Sequence, residues 1–65
     1  MDFRVTKQGT VWSFEPLTDA AKEFTATLGL EGWQWLGNTF NLDARLANNL
    51  LFGLVEEEGF EIELA

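Results

Sequence analysis

Asp43 to Gly59 is the longest stretch of this chain with a single clear period, and both of its ends carry a stop signal. At about 100° per residue from Ala44, the side chains of Leu46, Ala47, Leu50, Leu51 and Leu54 gather on one side, with Ala44 and Val55 at its margin. Asp43 is placed to cap the first turn through its carboxylate, Leu42 to staple back onto Ala47, and Gly59 to supply the left-handed residue that ends the run. The stretch reads as a core-facing helix. Everything else in the chain has to cover its apolar stripe.

Short alternating segments offer that cover. Asp2 to Thr6 places Phe3 and Val5 on one face and Asp2, Arg4 and Thr6 on the other, the period of a half-buried strand. Lys7-Gln8-Gly9 reads as a turn. Thr10 to Glu15 resumes the alternation with Trp12 and Phe14 inward and Val11, Ser13 and Glu15 outward, so the two segments form an antiparallel hairpin closed by Pro16. A first helix then follows, with Thr18 as N-cap, Ala20, Ala21, Phe24 and Leu28 on one face, and Gly29 as terminator. Thr25 and Thr27 weaken its intrinsic propensity.

Between Gly29 and Asn38 the pattern is irregular, with Gly29, Gly32 and Gly37 surrounding Trp33 and Trp35. Two readings compete here: a loop whose indoles plug one end of the core, or a second hairpin joining Trp33–Leu36 to Thr39–Leu42 through Gly37-Asn38. In both, Phe40 and Leu42 lead as a strand into the Asp43 cap. After the central helix, Phe60, Ile62 and Leu64 alternate with Glu61 and Glu63 as a last strand. The order β-β-α-β-α-β gives an α+β two-layer sandwich: a mixed sheet of four strands, or five with the Trp hairpin, and two helices on one face. Arg4, Ser13, Asn41, Glu61 and Glu63 then fall on a solvated outer face.

Size and charge limit what such a domain does. Its 65 residues make one domain, residues 1–65, which buries only about 60% of the surface its unfolded chain exposes. With 46% hydrophobic residues, six Phe and three Trp, it can still build a core without disulfides, and it has no cysteine. That composition suits a reducing cytoplasm, and no stretch approaches the roughly 20 apolar residues that span a bilayer. Eleven acidic residues against four basic ones give a net charge of −7, which disfavours direct contact with nucleic acid or an anionic membrane.

The chain also lacks His and Tyr, so with Cys missing it has none of the side chains that most often serve as neutral-pH base, thiol nucleophile or transition-metal ligand. No glycine spacing matches a phosphate-binding loop, and no Asp/Asn-rich loop matches a calcium site. We therefore expect no enzyme activity, no cofactor and no metal. Two surfaces stand out instead.

Phe52 lies on the polar side of the central helix with Arg45, Asn48, Asn49 and Glu56, and large aromatics and Arg are the residue types that most often anchor interfaces. Either a neighbouring segment folds over Phe52, or it meets a partner. Trp33 and Trp35 face a similar choice between core plug and exposed aromatic patch. Arg45, Asn49, Phe52, Trp33 and Trp35 form the candidate partner surface of a small acidic interaction module, binding another protein or a second copy. The alternative is a nucleic-acid mimic that inhibits a DNA-handling protein by presenting Glu56, Glu57, Glu58, Glu61 and Glu63 in place of phosphates. Glu56 to Glu58 occupy a helix C-terminus, where each negative charge opposes the macrodipole, although Glu is a good helix former and water screens the cost.

Overall fold

The computed structural model describes the backbone of residues 1–65 and every side chain except that of Trp33. Five strands form one mixed sheet: β1 (Phe3–Gln8), β2 (Val11–Pro16), β3 (Trp35–Leu36), β4 (Thr39–Asp43) and β5 (Ile62–Leu64), in the spatial order β3-β4-β2-β1-β5. Helices α1 (Asp19–Ala26) and α2 (Ala44–Phe52) cover one face, which makes the α+β two-layer sandwich expected from the pattern. β1, β2, β4 and β3 pair antiparallel, whereas β5 runs parallel to β1 with Phe3 opposite Ile62 and Val5 opposite Leu64.

The core is built from one face of the sheet and two small helix residues. Phe3, Val5, Phe14 and Phe40 are fully buried, and Ala21 of α1 and Ala47 of α2 sit against them with no exposed surface. Phe14 and Phe40 stack at 5.2 Å between ring centroids, and Trp35 meets Phe40 edge-on at 5.2 Å. On the other side Phe60 stands edge-on between Phe3 and Phe24, at 5.3 and 5.5 Å. Such contacts add to the area these rings bury.

Both helix caps form as the sequence implies. The Thr18 hydroxyl accepts from the Ala21 N–H at 3.1 Å, and the Asp43 carboxylate accepts from the Leu46 N–H at 3.0 Å. The second helix ends differently from a simple α-helix over Asp43 to Gly59. After Phe52 it widens into a π-helical turn, Gly53–Glu57, closed by the Glu58 N–H on the Gly53 carbonyl at 3.0 Å. Gly59 follows at φ +71°, letting the chain reverse so that the Phe60 N–H reaches the Leu54 carbonyl at 2.8 Å.

Several details of the pattern need correction. Lys7 and Gln8 belong to β1, not to a turn, and the reversal takes only Gly9 and Thr10, with Gly9 at φ +66°. The Trp hairpin does form, but with Trp35–Leu36 alone as its first strand; Trp33 lies in a 3₁₀ turn, Gly32–Gln34, and its side chain is outside the described residues. α1 stops at Ala26 instead of Leu28, and its buried positions are Ala21 and Thr25, whereas Ala20 is exposed. Leu46 is 53% exposed, because the buried stripe of α2 centres on Ala47 and Leu54 and Leu46 lies about 100° away from Ala47. Leu64 is 61% exposed: its strand is the sheet edge, and no helix reaches it.

Phe40 is fully buried and packs against both Phe14 and Trp35, so Phe40→Ala should cost about 3–5 kcal/mol, enough to unfold so small a domain. Urea unfolding followed by tryptophan fluorescence would show it, with Phe40→Leu still folded. Removing the α2 cap by Asp43→Ala should lower stability by about 1 kcal/mol without changing the fold, read from the same transition.

Candidate functional site

Burying Ala47, Leu50, Leu51 and Leu54 beneath α2 leaves its opposite side facing solvent. Arg45, Asn48, Asn49 and Glu56 are exposed there, and Phe52 among them is 64% exposed. Among the described residues no segment folds over the ring. Val55, in the turn that follows, is 45% exposed. Arg45 makes no ion pair with any described residue, although the Asp43 cap lies two residues away. The helix that carries these side chains is held at its start by the Asp43 cap and along its inner side by the core.

Trp35 belongs elsewhere. It is half-buried on the inner side of the sheet, edge-on to Phe40, and forms one wall of a cleft of about 410 Å³ between α1 and the β3–β4 hairpin. Pro16, Leu17, Lys22 and Thr25 supply the facing wall. The structure thus separates the expected partner surface: Arg45, Asn49 and Phe52 stay together on α2, and Trp35 lines a different recess. Nothing in the sequence pointed to that cleft, because its walls come from separate segments, those of Pro16, Lys22 and Trp35, whose meeting depends on the hairpin. Val55 is visible in the sequence as a margin of the apolar stripe, whereas Leu46, expected within that stripe, is exposed.

The acidic residues divide as well. Glu56, Glu57, Glu58 and Glu61 are exposed, with Glu61 ahead of β5 and not within it, its carboxylate 4.0 Å from the terminal ammonium of Met1. Glu63 is held by Arg4, whose guanidinium bridges Glu63 and Glu15 at 3.2 Å each across β5, β1 and β2. Ser13 donates to Asn41 on the same outer sheet face, which no helix covers. Surface pairs of this kind contribute from nothing to about 1 kcal/mol. Among the described residues no cluster of three or more acidic side chains is arranged to hold a metal ion, and no helix is long and apolar enough to cross a membrane.

Asp2 is a structural carboxylate. Its Oδ2 accepts from the Glu61 N–H at 2.9 Å and its Oδ1 from the Thr18 hydroxyl at 3.0 Å, tying the entry to β5 to the start of α1. The Glu61 amide, then the Thr18 hydroxyl, hold its carboxyl below the ordinary value of 3.8. Compared with known proteins, the chain matches no family model, no curated protein and no solved structure.

Because its folded pKa is depressed, Asp2 stabilises the fold above the unfolded value, and that stabilisation disappears as pH falls through and below 3.8. Thermal unfolding should therefore show Asp2→Asn melting below the parent protein at pH 7, with the difference shrinking as the pH is taken progressively below 3.8.

Proposed function

We propose that this chain is a non-enzymatic protein-interaction module of the cytoplasm, and that its contact surface is the outer side of α2. The observation that supports this reading is Phe52, a large aromatic left 64% exposed on a capped and firmly packed helix, with Arg45 and Asn49 on the same side. Arg and aromatic residues are the side chains that most often dominate binding energy when a partner desolvates them. Trp35 is not needed for such a surface, since its ring already has a partner in Phe40. The net charge of −7 supports a protein partner over direct binding to nucleic acid.

Mimicry of phosphates by the acidic end draws less support, because Glu63 is paired with Arg4 and Glu61 faces the Met1 ammonium. Phe52→Ala should leave stability within about 0.5 kcal/mol of the parent, as it removes a ring that supports no core. The same substitution should abolish capture of partners on an immobilised column loaded with lysate. An unchanged set of captured proteins would remove Phe52 from the contact surface.

A further inference from the structure

The outer side of α2 has a symmetry of charge that specifies one occupant. Arg45 stands in the first turn of α2 and Glu56 in the π-helical turn that continues it, eleven residues apart, with Asn49 and Phe52 between them. Arg45 and Glu56 are equidistant in sequence from the midpoint between Leu50 and Leu51, and so are Asn49 and Phe52. Resting on the reading of this face as a contact surface, we propose that its partner is a second copy of the chain, packed antiparallel through α2 about a two-fold axis at that midpoint.

A two-fold interface needs a patch that complements itself, with residue i of one copy meeting residue j of the other and the reverse. Here the axis sets each Arg45 opposite the partner copy's glutamate end. Phe52 lies within half a turn of the axis, so the two exposed rings meet across it. Glu56 is exposed in the π-helical turn Gly53–Glu57 that follows Phe52, as this pairing requires.

The arrangement also accounts for an acid run that opposes its own helix dipole. In an antiparallel pair each Glu56–Glu58 end lies beside the other copy's helix N-terminus, where negative charge is favoured. Within the monomer neither Arg45 nor Glu56 has an ion-pair partner among the described residues. A contact limited to one helix face is small beside the roughly 1,200 Å² of stable complexes, and we place self-association within the micromolar range.

Charge reversal tests this directly, by sedimentation equilibrium from low to high micromolar protein at moderate salt. Arg45→Glu and Glu56→Arg each place like charges opposite one another twice in the dimer, and each should weaken self-association about tenfold or more. Both substitutions suit the dipole of their own helix, so the loss will not come from unfolding, which circular dichroism checks. Mixing the two single variants should restore dimers, because one face is then wholly acidic and the other carries two bases. The double variant should also regain self-association, and Phe52→Ala should lose it.

A parent protein that stays monomeric throughout, single variants that dimerise like the parent, or a mixture that fails to recover would each overturn the second copy as occupant. The interaction module itself is judged separately: a monomeric parent whose lysate capture still depends on Phe52 refutes the dimer and leaves the contact surface standing.

Discussion

Two alanines set the geometry on which this domain depends. Ala21 and Ala47 are fully buried at the points where α1 and α2 meet the sheet, and their small size lets each helix backbone approach a layer already filled by Phe3, Phe14 and Phe40. A larger side chain at either position would lift its helix and open space beside the stacked Phe14–Phe40 pair. With so few residues, the chain has little other apolar surface to close such a gap.

That close approach decides what remains outside. Because α2 buries a narrow stripe, its far side carries Arg45, Asn49 and Phe52 into solvent, and the cap at Asp43 fixes where the first turn begins. The same packing draws Phe60 under the sheet edge, where it joins Phe3 to Phe24 and brings the chain back to pair beside β1. Asp2 then fastens the two ends of this path by accepting from both Thr18 and Glu61. The surface of α2 and the closure of the sheet are consequences of one packing arrangement.

Much of the fold was legible because its signals are local. Alternation identified Phe3, Val5, Phe14 and Phe40 as inward residues, the Thr18 and Asp43 caps marked both helix starts, and all of these hold in the structure. The errors fall where a face meets an edge. Ala20 and Leu46 sit at the margin of helical stripes whose centres are chosen by the sheet, and Leu64 keeps strand alternation at an edge with nothing above it. The reversal at Gly9-Thr10 was placed too early because Lys7 and Gln8 are polar, while their pairing with Trp12 and Val11 carries the ladder to its end. For the candidate site, the wheel grouped Phe52 with Arg45 and Asn49 correctly, but it had no means to detach Trp35 from that group.

The sequence by itself determined the elements, the inward residues and the caps, since each follows from the periods of helix and strand and from side chains that bond their own backbone. Tertiary structure alone decided that Phe52 stays uncovered, that Trp35 turns to Phe40, that Arg4 pairs with Glu15 and Glu63, and that α2 ends in a widened turn. Those outcomes depend on which segments become neighbours across the sheet. Pairings between residues 59 positions apart, such as Arg4 with Glu63, leave no trace in local periodicity.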